Sequence, residues 1–250
     1  HLAGKVGGIK DNNNFQAEYI HQNIVMNANI IHEAYKEDVP RVLSCLSTCM
    51  FPDIMADYPF TENSLHLGPP AQTNFSYGYA KRMLHVMSQA YRKQYGLNYS
   101  TFAPSNVYGP NDNFNLETSH FVPAMIKKVY EAREKDIIEF WGTGMPLRQQ
   151  LFVDDLAKII PILTKRHNTA DPLIISPDEN LSIEEIIKKC LKISGKSVKF
   201  VFNGKLDGQY RKDGSNKKLL EVIDDFDFTP LEKGLKATYE WYANTQNNRR

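Results

Sequence analysis

The sequence predicts an α/β fold with a mostly parallel sheet. Three observations predict it. Short apolar runs of strand length alternate with longer stretches of helical periodicity. Proline and glycine punctuate the boundaries between the two kinds of segment. Helix-start signatures stand where the periodic stretches of the last third begin.

Taken in order, Ile20, Ile24, Ala28, Ile31 and Tyr35 recur at helical spacing and predict a helix over 15–37, discouraged from continuing by Pro40. Residues 42–46 read as a buried strand. A loop with Pro52, Pro59, Gly68, Pro69 and Pro70 leads to a second helix over 77–95, stopped by Gly96. Residues 99–103 read as a strand, 120–133 as a helix, 137–141 as a strand ended by Gly142 and Gly144, and 154–165 as a helix. Ser182 with Glu185 makes a capping box ahead of Ile186, Ile187 and Leu191. Residues 198–202 alternate like a strand. Thr229, Pro230 and Glu232 supply cap, first-turn proline and capping glutamate for a final helix, beyond which the polar tail 244–250 is expected to fray.

Composition bounds the function. With 250 residues, 42% hydrophobic and 24% charged, the chain is long enough for one large domain or two small ones. A net charge of +1 offers no bulk basic field for nucleic acid or an anionic membrane. No apolar run approaches the roughly 20 residues of a membrane span, and no charged-then-apolar leader is present. The chain opens at His1 directly into an apolar, glycine-containing stretch and reads as the interior of a longer protein. Its cysteines, Cys45, Cys49 and Cys190, are odd in number and form no disulfide framework, which fits a reducing compartment such as the cytosol.

The chemistry gathers around a serine at a strand end and a Tyr-x-x-x-Lys at the next helix start. Ser47 follows the 42–46 strand; Tyr77 and Lys81 are four apart and share one helix face. In a doubly wound sheet, ligands sit beyond the carboxyl ends of the strands, the edge expected for Ser47 and the segment after Ala103. Hydride transfer to a carbonyl makes an alkoxide that must receive a proton. A tyrosine can deliver it, an adjacent ammonium favours its phenolate, and a serine hydroxyl can hold the carbonyl oxygen. Taken alone, the pair is also what an aromatic packed beside a solvated lysine looks like.

Wider context comes from ordered motifs: HLAGKVGG at 1–8, SCLSTCMFP at 44–52, YGYAK at 77–81, PSNVYGPNDNF at 104–114, SHFVP at 119–123, WGTGMPLR at 141–148, then Asp207-Gly208 and Arg211-Lys212. This series resembles the GDP-L-fucose synthase family of extended short-chain dehydrogenases. The resemblance implies a Rossmann-like doubly wound parallel sheet lacking its N-terminal βαβ portion, with a smaller C-terminal α/β substrate-binding domain. Residues 1–110 would be the remainder of the NADP-binding domain and 111–250 mainly the substrate domain, with about 137–165 returning to the first.

The resemblance further implies Ser47, Tyr77 and Lys81 as the reduction set, and Cys49 and His120 as the acid and base of epimerisation. Leu46, Ser47, Thr48, Lys81, Pro104, Ser105, Asn106, Val107 and His120 would line the nicotinamide half of NADP(H). Lys128, Trp141, Arg148, Asp207 and Lys212 would meet a GDP-sugar. It implies a homodimer, beside the cytoplasmic location read from the cysteines and the lack of a nucleic-acid or membrane partner read from charge and hydropathy. The family's G-x-x-G-x-x-G loop is not found in these residues, and Gln150 stands where an aromatic is usual.

Bland readings stand beside these: Cys49 as a small buried hydrophobe, His120 as a helix-start polar group, Trp141 as core. A metal role for Cys45 and Cys49 is discounted because no CxxC, HExxH or clustered His accompanies them. The competing functions are another extended nucleotide-sugar epimerase, such as a UDP-sugar 4-epimerase, and an inactive module that dimerises through Met83, Leu84, Met87 and Tyr91.

Overall fold

In a computed structural model, which describes residues 1–205 and 207–248, the chain opens with an extended segment lying along the first strand. The backbone nitrogen of His1 donates to Leu43 O, and Cys45 N donates back to His1 O, both at 2.9 Å. A short helix α1 (Ile9–Asn14) then leads into α2 (Gln16–Lys36). The expected apolar stripe is corrected. The buried positions of α2 are Tyr19, Asn23, Asn27 and Ile31 rather than Ile20, Ile24 and Ala28. That face meets extended backbone, whose polar groups must be satisfied, and asparagine can do what an aliphatic side chain cannot. Asn23 donates to Lys5 O and accepts from Lys5 N, while Asn27 Oδ1 pairs with the His1 ring.

Strand β1 (Arg41–Cys45) begins one residue earlier than the sequence suggests. Helix α3 (Phe75–Tyr95) ends on Gly96, whose φ of +70° suits the left-handed cap. Strand β2 (Asn98–Pro104) runs parallel to β1, with Cys45 opposite Phe102. There follow β3 (Asn106–Tyr108), α4 (Phe121–Glu131), β4 (Ile137–Phe140), β5 (Leu147–Phe152), α5 (Val153–Arg166), β6 (Leu173–Ile175), β7 (Asn180–Ser182), α6 (Ile183–Ser194), β8 (Lys199–Phe202), α7 (Lys217–Ile223) and α8 (Leu231–Asn247).

The sheet β1-β2-β6 is parallel throughout, β3 and β5 are parallel with β7 added antiparallel, and β4 pairs parallel with β8. Alternation along the strands shows that the first sheet is doubly wound. Tyr99, Ala103 and Ile174 pack with Ile31 of α2 and Leu84 of α3 on one face. Phe102, Leu173 and Ile175 pack with Ile159 and Leu163 of α5 and Leu219 and Ile223 of α7 on the other. A separate core joins α4, α6 and α8 to Ile138 and Phe140 of β4.

Two expectations about helix surfaces are corrected. Leu84, offered as part of a dimer face, is wholly buried in its own chain, and Met87 and Tyr91 pack against the same core; the exposed apolar positions on α3 are Tyr79, Met83, Val86 and, at its last residue, Tyr95. Thr229 does not cap α8. Both its backbone N and its hydroxyl donate to Asp155 on α5, at 2.7 and 2.8 Å. A buried carboxylate outcompetes a local cap because its two oxygens must be satisfied wherever donors are found. The capping box of Ser182 and Glu185 forms as expected. The tail stays helical through Asn247, which accepts from Tyr130 at 3.2 Å; Arg249 and Arg250 lie outside the described residues.

His85 on α3 is 2% exposed, with Nδ1 3.0 Å from Thr101 Oγ1. Burial, then the neighbouring His66, push its pKa down to about 4. The unfolded chain therefore takes up a proton near pH 6.5 that the native ring refuses. Stability contributed above pH 6.5 is lost as pH falls toward about 4, by at most about 3 kcal/mol. Urea unfolding across that window is expected to show a slope that His85→Asn flattens.

Candidate active site

Ser47 leaves β1 in an extended conformation and opens a single 3-10 turn (Thr48–Met50), its Oγ accepting from Cys49 N at 3.1 Å. The turn thus presents Ser47 and Cys49 together. Helix α3 docks closely on it: a Cβ at Gly78 would lie 2.8 Å from both Cys49 O and Pro70 Cβ. A side chain there would lift α3 away, so the glycine sets how near Tyr77 comes to the turn.

The Tyr77 ring packs edge-on against Tyr19 at 6.3 Å. Burial first, then Cys49 and Cys45, push its phenol well above the ordinary value; hydrogen bonding with Ser47 works the other way. Lys81 is 3% exposed, with Nζ 2.9 Å from Cys45 O and 5.8 Å from the Tyr77 ring centre. The expectation that this ammonium draws the phenol toward neutrality is corrected: desolvation outweighs it, and the ammonium's hydrogen bond goes to a backbone carbonyl.

Burial would raise the Cys49 thiol, but the Lys212 ammonium, the Ser47 hydrogen bond and Arg148 together hold it below the usual thiol range. Lys212 Nζ lies 2.9 Å from Cys49 Sγ. His120 stands at the N-cap of α4 without capping it. Desolvation, then Lys212, lower its pKa and favour the neutral ring.

Leu46–Thr48 and Pro104–Val107 meet at the carboxyl edge of β1 and β2. Leu46 N donates to Phe102 O at 2.7 Å and Ser105 N to Ile175 O at 2.9 Å. Leu46 and Thr48 are each 2% exposed, so a ligand would meet their backbone. Asn106 and Val107 lie in β3, paired with Gln150 and Leu151. Gln150, where an aromatic was expected, is therefore a buried sheet residue. Ser105 Oγ is buried with no hydrogen-bond partner among the described residues, which fits an edge that receives polar ligand atoms.

The residues expected for the sugar nucleotide divide. Arg148 reaches the Cys49 environment: burial lowers its pKa, while Cys49 and Asp207 oppose. Lys128 instead donates to Glu139 O at 2.8 Å, over the Phe140 ring. Trp141 is 52% exposed, which excludes the core reading. Asp207 caps the turn after it, accepting from Thr143 N at 2.9 Å and Thr143 Oγ1 at 2.6 Å. Gly142 in that turn has a φ of +77°, and its Cβ would fall 2.0 Å from Asp207 Oδ1.

The sequence missed Gln149. Its Oε1 accepts from Gly214 N and Ser176 Oγ, tying β5 to the loop that carries Lys212. Only its place beside Arg148 hinted at it. An open groove of about 560 Å³ lined by Tyr130, Glu131, Ala132, Arg133 and Lys196 contains none of these residues. Among the described residues, no three His, Cys, Asp or Glu side chains cluster as metal ligands.

The NAD-dependent epimerase/dehydratase family matches residues 1–175. A probable GDP-L-fucose synthase of Drosophila melanogaster is 36% identical across 100% of this chain and 81% of its own length. A crystal structure of a GDP-L-fucose synthetase from Naegleria fowleri bound to NADP superposes with a TM-score of 0.88 at 35% identity, covering 99% of this chain and 76% of that one. UDP-glucose 4-epimerase of Thermotoga maritima shares the fold, with a TM-score of 0.87 at 20% identity over 98% of this chain and 77% of that one. The doubly wound sheet is thus that of the NAD-dependent epimerase/dehydratase family, and identity running the whole length of the chain makes it a member of the GDP-L-fucose synthase family.

Proposed function

We propose that this chain converts GDP-4-keto-6-deoxy-D-mannose to GDP-L-fucose, epimerising the two carbons that flank the ketone and reducing the ketone with NADPH. The reading is supported above all by one observation: Cys49 lies in the same turn as Ser47, with Tyr77 docked on that turn through Gly78. A reducing set and a proton-exchanging thiol thereby serve one position.

NADPH, when bound, supplies the hydride. Ser47 holds the ketone oxygen, and Tyr77, protonated at neutral pH, gives its proton to the alkoxide that hydride transfer creates there. Lys81 orients the ribose. Leu46, Thr48, Pro104, Ser105, Asn106 and Val107 hold the nicotinamide half, chiefly through backbone. The ketone acidifies its flanking hydrogens, and Cys49 and His120 move those protons between opposite faces. Arg148 meets the diphosphate, Lys128 joins it only by leaving Glu139 O, Trp141 packs on base or sugar, and Asp207 keeps the Trp141 turn in shape.

The division into a cofactor unit at 1–110 and a mainly substrate unit at 111–250, with about 137–165 returning to the first, belongs to the same reading, and α5 packing on the first sheet supports the return. So does a homodimer, for which Tyr79, Met83 and Val86 offer an exposed apolar face. A cytoplasmic location agrees with the free cysteines; no helix among the described residues is long and apolar enough to cross a membrane.

The test is turnover in deuterated water. GDP-L-fucose is expected only when NADPH is added, and deuterium should enter both flanking carbons without it. Inversion of the 4-hydroxyl of a UDP-hexose, with neither product nor exchange from the 4-keto sugar, would assign a 4-epimerase instead, and an absence of both product and exchange would sink the reading.

A further inference from the structure

Lys212 is 7% exposed, and its Nζ reaches Cys49 Sγ at 2.9 Å across 163 residues of sequence. A buried ammonium is costly without an acceptor and a countercharge. The adjacent carboxylate is already taken: Arg211 donates to both oxygens of Asp213, at 2.6 and 2.9 Å. Among the described residues, no carboxylate forms an ion pair with Lys212. The countercharge that would balance this ammonium is therefore the sulfur itself, as a thiolate.

The surroundings of the sulfur agree. Ser47 hydrogen-bonds it, and Arg148 adds a second cation. Tyr77 faces it as a neutral phenol, and His120 faces Lys212 as a ring held neutral. Burial alone opposes ionisation. The loop that carries Lys212 is fixed independently, by Gly214 N donating to Gln149 Oε1 at 2.9 Å.

We infer that Lys212 is a positioning residue for the epimerisation half of the reaction, holding Cys49 ionised and aimed so that Cys49 is the group that takes the proton from carbon. This rests on the acid–base role proposed for Cys49. In that step the C–H bond beside the ketone breaks and an S–H bond forms, and the C–H electron pair moves to the ketone oxygen as an enolate. The returning proton is relayed from solvent by the two nitrogens of the neutral His120 ring to the opposite face, and Cys49 then releases its own proton to solvent, which restores the thiolate.

The experiment is alkylation of the full chain by iodoacetamide over a pH series, read for each cysteine by peptide mass. Cys49 is partly accessible, and its alkylation midpoint is expected below the free-thiol value of about 8.5. Lys212→Met is expected to move that midpoint above 8.5 and slow alkylation at neutral pH about tenfold, since the thiolate reacts. Lys212→Arg should keep the midpoint low, and the profiles of Cys45 and Cys190 should not follow Lys212. A midpoint unmoved in Lys212→Met overturns the inference. If that variant does not fold by circular dichroism, the native profile decides, because a native midpoint at or above about 8.5 overturns it equally. Deuterium exchange in Cys49→Ser is read separately. Undiminished exchange there would remove the acid–base role while leaving the ammonium–thiolate pair standing, and an unmoved midpoint would do the reverse.

Discussion

Tyr77→Phe is expected to slow ketone reduction about 10²- to 10⁴-fold, the usual worth of a positioned proton donor, while deuterium exchange at the flanking carbons continues. The substitution keeps the ring that packs against Tyr19 and removes only the hydroxyl. Because burial pushes that phenol up, it remains a protonated donor throughout the neutral range. The loss should therefore appear as a uniform drop in single-turnover NADPH oxidation and not as a shift along the pH axis. The exchange half depends on Cys49 and its ammonium partner, which loss of the Tyr77 hydroxyl would leave in place. Reduction surviving within a few-fold of the native rate would remove Tyr77 from the mechanism.

Cys49→Ser is expected to do the opposite: exchange should fall about 10²- to 10⁴-fold, while reduction of the unepimerised ketone persists. Serine retains an acceptor for the buried Lys212, so the variant tests chemistry rather than the cost of stranding an ammonium. Its hydroxyl does not ionise near neutrality, whereas the Cys49 thiol is held low by Lys212, Ser47 and Arg148 against the cost of burial. The native exchange rate should rise as pH climbs through the lowered Cys49 pKa and then level, and the serine variant should lack that rise. Mass spectrometry of recovered substrate, after incubation in deuterated water without NADPH, reads this directly. If both variants carried out the full reaction, the division of labour at this edge would be wrong.

The two effects are separable because the chain assembles the halves differently. The residues proposed for reduction, Ser47, Tyr77 and Lys81, are brought together by β1, its following turn and the first turns of α3. The thiol proposed for proton exchange instead has Lys212 and Arg148 as neighbours, which come from the far end of the chain and from β5. Gln149 links these two sources by holding the Lys212 loop against β5.

The sequence by itself determined the parts that local interactions specify. Helices α2, α3 and α5 follow from periodicity, Gly96 from its left-handed cap, and the Ser182 capping box from spacing alone, because each depends on residues within a turn or two. The candidate residues Ser47, Tyr77 and Lys81 were legible for the same reason, since a strand end and a four-residue helical repeat are short-range patterns, whereas Cys49 and His120 came into view only through the family resemblance. Tertiary structure alone decided which acceptor each buried polar group found. Lys81 turned to Cys45 O, Thr229 to Asp155, Asn23 to Lys5, and Lys212 to Cys49. Strands β3, β6 and β7, at three residues each, were too short to show a period and exist through pairing with distant segments. Desolvation is likewise set by the whole fold, so the upward shift of Tyr77 and the downward shift of Cys49 had no signature in the chain's local pattern.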